Sequence, residues 1–321
     1  MRAPVMAAPT IRAYALDPVD ERRALVEGLL APHASISPKY HYDARGGDLF
    51  ASICRLPEYY PPRVEAAILE RHRLALRDVV GTRKELVDLG AGDCAKAPRW
   101  FDLFAPTRYV AVDIARDTLA RALPALAARS PAVDMHGIAV DFSRGLDIAR
   151  DLRGGAATFV YPGSSIGNFA PQDALALLRS IRAHCVVAGS GLLIGVDTKK
   201  DPARLVAAYD DADGVTAAFD RNVLLHVNRI LGTRFDPEAF AHVARYDETH
   251  SRIEMHLEAR VRQAVVIDGA TRTFEHGERI HTENSYKYAP EEFAAMLAHA
   301  GFGGVRVVQA DERDFAVYYA A

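Results

Sequence analysis

Val87-Asp88-Leu89-Gly90-Ala91-Gly92 carries the first chemical signal in this chain. Small residues at such a turn let the backbone approach a ligand closely, and a helix start just beyond favours negative charge. Asp113 lies 23 residues after Gly90, where a carboxylate can accept hydrogen bonds from both hydroxyls of a ribose. Asp141-Phe142 pairs an acid that can take an adenine amino group with a ring that can stack on the base. Each feature has a plain alternative: Gly90 and Gly92 suit any tight βα turn, and Asp113 any helix cap. Gly-x-Gly followed by Ala95 fits a dinucleotide fingerprint about as well as that of a methyl-donor nucleotide. Their joint placement at the carboxyl ends of three successive predicted strands points to a nucleoside site.

The elements that must position these groups follow from periodicity. A helix is predicted over 19–31, ended by Pro32, and Asp43–Gly47 reads as a turn before a short helix near 48–55. Pro61 and Pro62 lead into one long helix over roughly 63–80. Strands are predicted at 86–90, 108–113, 133–140, 157–161 and 192–197, with helices near 96–105, 116–129 and 171–187. Gly145 and Gly154-Gly155 leave room for only a short helix in the third connection. This alternation implies βαβ units and a parallel sheet. Helices are then expected around 201–209, 214–231 and 236–246. Ile253, Met255, Leu257, Ala259 and Val261 alternate with charged residues, which predicts a strand with one wet face. Its partners are expected near 263–282. A helix at 290–300, capped by Gly301, precedes strands at 305–310 and 315–320, too close together to be anything but antiparallel.

This is the outline of a Rossmann-like class I methyltransferase sheet with an antiparallel last strand, joined to a second α+β lobe. The expected division is 1–84 plus 198–288 for the substrate lobe and 85–197 plus 289–321 for the S-adenosylmethionine-binding domain. The terminal hairpin favours S-adenosylmethionine over NAD.

Composition narrows the classes. The chain has 321 residues with 39 Lys plus Arg against 42 Asp plus Glu, a formal charge of −3. That is no basic field for a nucleic acid. Cys54, Cys94 and Cys185 have no spacing for a disulfide framework or a zinc knuckle. The longest apolar run, 185–196, is far short of the roughly 20 residues of a membrane span, and no signal-peptide pattern opens the chain. A cytoplasmic monomer without metal is expected, acting on a small molecule. The 12 histidines show no metal-like pairing; most are expected at the surface, and none is assigned as a general base.

Several uncommon segments then resemble a single family. Tyr42-Asp43, Arg55-Leu56-Pro57-Glu58-Tyr59-Tyr60-Pro61 and Gly163-Ser164-Ser165-Ile166-Gly167-Asn168 are similar to segments of the histidine Nα-methyltransferases of ergothioneine biosynthesis. So are Ala208-Tyr209-Asp210-Asp211, Phe219-Asp220-Arg221-Asn222, Arg252-Ile253-Glu254-Met255 and Thr282-Glu283-Asn284-Ser285. The resemblance runs from about residue 36 to the end, and the first thirty-five residues match only loosely.

The resemblance implies a set of roles. Asn168 and Tyr209 would hold the substrate α-carboxylate, while Tyr59, Glu283 and Ser285 would surround the imidazole. Tyr42 would lie near the α-amino group, Gly163 would line the site, and Met255 would pack beside the ring. Gly90, Ala91, Gly92, Lys96, Asp113, Asp141 and Phe142 fall on the S-adenosylmethionine positions. Ala91 and Asp93-Cys94-Ala95 depart from the family's Ser/Thr-rich loop. The residue types suit these roles: an amide and a phenol grip a carboxylate without charge, and a carboxylate can accept an imidazole N–H.

The implied reaction is three methylations of L-histidine to its betaine by in-line displacement, with Tyr42, Tyr59 and Asn168 nearest the chemistry and no dedicated strong base. Alternatives are another amino acid such as tryptophan or a modified histidine, an NAD-dependent oxidoreductase, and a catalytically silent binding module.

Overall fold

The computed structural model describes residues 8–14 and 18–321. In chain order the strands are β1 (Thr10–Ala13), β2 (Glu85–Leu89), β3 (Arg108–Asp113), β4 (Asp134–Ala139), β5 (Ala157–Tyr161), β6 (Gly191–Asp197) and β7 (Phe240–Asp247). They continue as β8 (Arg252–Ala259), β9 (Gln263–Ile267), β10 (Ala270–Phe274), β11 (Arg279–Tyr286), β12 (Arg306–Gln309) and β13 (Phe315–Ala320). The helices are α1 (Pro18–Leu30), α2 (Ala44–Ile53), α3 (Pro61–Arg71), α4 (Arg73–Val80), α5 (Ala97–Phe104) and α6 (Arg116–Arg129). After them come α7 (Pro171–His184), α8 (Pro202–Ala207), α9 (Val215–Leu231) and α10 (Pro290–His299).

These elements sort into two units. The first takes in β1, Arg63–Thr198 and Tyr288–Ala321; the second takes in α1 through Pro62 and Lys199–Lys287. The expected boundary at residue 84 therefore moves. Ile68, Leu69, Leu76 and Val80 of α3 and α4 belong to the core of the first unit with Trp100, Tyr109 and Phe315, so burial assigns 63–84 to the sheet.

The first unit is an eight-stranded sheet in the order β1-β4-β3-β2-β5-β6-β13-β12. β1 to β6 pair in parallel, and β13 runs antiparallel to both β6 and β12. Every residue of β2, β5, β6 and β13 is buried, which is why apolar residues dominate them, the buried Glu85 and Asp88 of β2 and Asp197 of β6 being the charged exceptions. Leu119, Leu123 and Leu126 form the buried stripe of α6. β1 escaped prediction because four residues, three of them exposed, carry no periodicity. Gly137 makes room for it: a Cβ there would meet Ile11 Cγ1 at 2.9 Å and Leu123 Cδ1 at 2.8 Å. The long helix over 63–80 is broken in two at His72, whose φ of −100° and ψ of 16° leave the helical region. The third connection holds only short 3-10 turns at Phe142–Arg144 and Ala149–Asp151.

The second unit holds a three-stranded antiparallel sheet, β11-β8-β7, and a separate β9–β10 hairpin. Four expectations change here. Residues 236–246 form a 3-10 turn and then β7, because the free edge of β8 offers eight paired positions that outweigh the local helix preference of Glu238, Ala239 and Ala241. Of the stretch 263–282 expected beside β8, only the end pairs with it, as the start of β11; the other partner is β7. The charged face of β8 is not wet: Glu254 is 3% exposed and His256 9%, held by Arg245, Arg252 and each other. Asp43–Gly47 is no isolated turn either. Asp43 Oδ1 accepts the Gly46 N–H at 2.7 Å and caps α2.

One irregularity decides what this sheet presents. Ile280 pairs with Leu257 and His281 with His256, but Glu283 pairs with Met255, so Thr282 is an extra residue. Its hydroxyl donates to the Met255 carbonyl at 3.1 Å. Such a bulge reverses the alternation of the strand. Without it, Thr282 and Asn284 would share the face of Met255; with it, Glu283 and Ser285 do.

Candidate functional site

In the first unit the glycine loop follows β2. Gly90 and Gly92 have φ of +69° and +52°, a region that side chains disfavour. Asp113 ends β3, its Oδ2 accepting the Gly92 N–H at 2.8 Å and its Oδ1 the Ala115 N–H at 2.8 Å. Burial raises its carboxyl, and the backbone N–H groups of Ala115 and Gly92 pull the other way. One carboxylate thus fixes both the glycine loop and the start of α6, leaving room for further acceptance at its remaining lone pairs. Asp141 caps the next strand end, accepting the Ser143 N–H at 3.0 Å. The Phe142 ring meets Tyr161 edge-on at 5.8 Å. The sequence-predicted set Gly90, Ala91, Gly92, Asp113, Asp141 and Phe142 therefore falls at consecutive carboxyl ends of β2, β3 and β4.

Lys96 and Gly163 are joined by a residue that sequence reasoning missed. Glu65, in α3 and 1% exposed, accepts the Gly163 N–H at 2.8 Å and an ion pair from Lys96 at 3.3 Å. The signal was Gly195 in β6: a Cβ there would meet Glu65 Oε1 at 2.0 Å. After Gly163, Ser164 takes a left-handed φ of 61°, and its hydroxyl oxygen accepts the Asp197 N–H at 2.9 Å. Asn168 ends the 3-10 turn Ser165–Asn168 that follows.

The second unit carries Tyr42, Tyr59, Tyr209, Met255, Glu283 and Ser285. Five rings touch mainly edge to face: Tyr42 meets Phe50 at 5.7 Å and Phe219 at 5.8 Å, Phe50 meets Tyr59 at 6.2 Å, and Tyr59 meets Tyr209 at 6.0 Å. Burial drives the Tyr59 hydroxyl well above the usual phenol range, reinforced by Tyr209 and by Glu283. Tyr59 is therefore a neutral phenol at any working pH.

Tyr209 and Ser285, assigned by resemblance to opposite ends of a substrate, are hydrogen-bonded to each other at 2.7 Å. Lys287 explains the pairing. Its ammonium, 1% exposed, donates to Tyr209 Oη at 3.0 Å and Ser285 Oγ at 2.8 Å. Sequence reasoning missed it, although Glu283, Ser285 and Lys287 alternate along one strand.

Glu283 is 7% exposed, and its Oε2 is buried with no hydrogen-bond partner among the described residues. Burial pushes its carboxyl up to about 7, opposed by His41, Lys287 and His242 and reinforced by Asp220. An unpartnered buried carboxylate oxygen is costly and marks a place for a donor. His41 and His242 are two of the histidines that do not lie at the surface, where most are expected. Both flank Asp220, at 3.1 Å and 2.7 Å, with side-chain exposures of 0% and 2%. Among the described residues no group of three or more His, Cys, Asp or Glu is placed to hold a metal, and no helix is long and apolar enough to cross a membrane.

Residues 21–321 match a family model described as histidine-specific methyltransferase, SAM-dependent. The chain is 40% identical over 286 residues to a histidine N-alpha-methyltransferase of Mycolicibacterium smegmatis, covering 87% of this chain and 88% of that one. It is 39% identical over 306 residues to the enzyme of the same name from Mycobacterium tuberculosis, covering 94% of each. It is also 30% identical over 269 residues to ergothioneine biosynthesis protein 1 of Neurospora crassa, covering 81% of this chain and 30% of that longer protein. With a match over nearly its whole length, the chain belongs to the S-adenosylmethionine-dependent, histidine-specific methyltransferases.

Proposed function

We propose that this protein transfers three methyl groups to the α-amino nitrogen of L-histidine, giving the histidine betaine hercynine as the first step toward ergothioneine. The observation that carries this reading is the unpartnered, buried Glu283 Oε2 opposite Met255, a directional acceptor suited to an imidazole N–H. An indole N–H could donate to the same oxygen, and histidine over tryptophan is supported by the match to a histidine-specific family.

Asp113 would hold the ribose of S-adenosylmethionine, Asp141 and Phe142 its adenine, and Gly90, Ala91, Gly92 and Lys96 the remainder. The Asp113 carboxylate at the end of β3 and the positive-φ glycines fit such a group. S-adenosylmethionine, when bound, supplies the methyl group as an electrophilic sulfonium. Asn168, Tyr209 and Gly163 would fix the substrate carboxylate and backbone. Lys287 behind Tyr209 and Ser285 adds a charge that the neutral grip expected from sequence lacked. Tyr42 and Tyr59 would bound the amino end, where aromatic faces tolerate a growing cation. With Tyr59 held neutral, the amine loses its proton to water and alignment supplies most of the rate, a contribution of about 7–11 kcal/mol in favourable cases. The protein is read as a cytoplasmic monomer needing no metal.

The test is incubation of purified protein with methyl-labelled S-adenosylmethionine and a panel of amino acids. Histidine gaining three methyl groups supports the reading; preferential methylation of tryptophan or of a ring-modified histidine overturns it.

A further inference from the structure

His41 and His242 stand on either side of Asp220, and neither has an acceptor's role to play. His41 Nδ1 faces the Pro38 carbonyl at 3.1 Å while Nε2 faces Asp220 Oδ1 at 3.1 Å. His242 Nδ1 faces Asp220 Oδ2 at 2.7 Å while Nε2 faces the Tyr209 carbonyl at 2.8 Å. A carbonyl can only accept, and a neutral imidazole has one donor and one acceptor nitrogen. Two neutral rings would set lone pair against lone pair twice. A proton on Asp220 relieves one of those contacts and still requires one imidazolium. With Asp220 ionised, both rings are imidazolium. Either way the trio carries one net positive charge.

We infer that His41, Asp220 and His242 form a fixed buried cation that keeps Glu283 a carboxylate, making His41 and His242 positioning residues for recognition of the substrate ring. The inference rests on the reading that Glu283 accepts the imidazole N–H. His41 is pinned for this task by stacking on Phe219, with centroids 4.7 Å apart and planes at 17°. The charged groups facing the trio and Glu283 are Lys287, and Asp210 at the exposed side of His242; Tyr59 beside Glu283 is uncharged. Burial lowers both imidazoles, and Asp220 more than restores them, leaving each above its ordinary value. The same contacts hold Asp220 well below the usual carboxylate range against its burial. The trio then balances Glu283.

Two measurements test this on the full-length protein. Nitrogen NMR of the imidazoles without substrate should show protonated rings at His41 and His242 well above neutral pH. Two neutral rings at pH 7 would overturn the inference, whatever the substrate proves to be. Calorimetry of histidine binding against pH, with S-adenosylhomocysteine present, then compares the parent, His41→Gln, Glu283→Gln and the double variant. His41→Gln keeps a donor toward Asp220 but removes the charge. It should move the acid limb of histidine binding up by about one pH unit, a loss of about tenfold below that limb. In the Glu283→Gln background it should do nothing further. An equal loss in both backgrounds would make His41 a merely structural residue. His242→Asn, which keeps the Nδ1 donor, repeats the test if His41→Gln fails to bind S-adenosylhomocysteine. A parent that binds no histidine would sink the proposed function, while the NMR result still decides the charge of the trio.

Discussion

At the scale of single residues, Glu283 joins stability to recognition. Its folded-state value near 7 lies above that of an unfolded glutamate, so the folded protein binds the extra proton. The stabilising form is the protonated one: it is fully present below the unfolded value near 4.3 and lost as pH rises through about 7. Glu283→Gln should therefore raise the melting temperature more at pH 8 than at pH 5, while weakening histidine by about tenfold or more. A variant that melts lower at pH 8 would contradict the buried-carboxylate account. Tyr59 makes the opposite prediction. Because burial holds its hydroxyl neutral, Tyr59→Phe should keep chemistry within about tenfold of the parent in single-turnover assays, short of the 100-fold or more expected of a general base. These residues were legible only as a resemblance. Glu, Ser and Tyr types say nothing about burial, and Lys287, Glu65, His41 and His242 acquire meaning only through partners 2 to 179 positions away in the chain.

At the scale of elements, periodicity succeeded where burial was uniform and failed where it was conditional. β5, β6 and β13 are buried on both faces and read as mainly apolar runs. β7 looks helical in isolation and is a strand because β8 lies beside it. The bulge at Thr282 has no sequence signature, yet it selects which residues of β11 share the face of Met255. Deleting Thr282 removes the extra residue, so Glu283 follows His281 in plain alternation and stays opposite Met255. Histidine binding should survive the deletion in calorimetry, and its loss while S-adenosylhomocysteine binding persists would show that the bulged backbone itself shapes the site. Gly195 supplies the matching test in the other sheet. Gly195→Ala places a methyl group against Glu65 Oε1, and should destabilise the protein by about 1–3 kcal/mol and weaken S-adenosylhomocysteine through Lys96 and Gly163. An unchanged denaturation midpoint would show that Glu65 moves aside freely.

At the scale of the whole molecule, each unit is assembled from discontinuous stretches of chain. The second unit draws its core from Leu25, Leu29, Ile36 and Tyr40 as well as from Val223, Phe240, Leu257 and Ile280. A fragment of residues 199–287 lacks the first group and should show no cooperative melting by circular dichroism; a folded fragment would mean that the later strands suffice. The fold class was legible because alternating strands and helices with a terminal hairpin admit few topologies. The unit boundaries were not, since they depend on which core α3 and α4 enter. The charge of −3 told against a nucleic acid but could not reveal that the charges that matter are buried, in His41, Asp220, His242, Glu283 and Lys287.

The single tryptophan gives the protein a built-in optical readout. Trp100 is 1% exposed in the helix after the glycine loop, stacked near Phe104 at 6.5 Å. Tyrosines stand in both units, Tyr161 against Phe142 in this one and Tyr42, Tyr59 and Tyr209 in the other, so their absorbance does not separate the two. Indole emission, excited selectively, therefore reports occupancy next to the glycine loop without a label. Following that emission as the two ligands are added in either order reads out whether one must bind before the other.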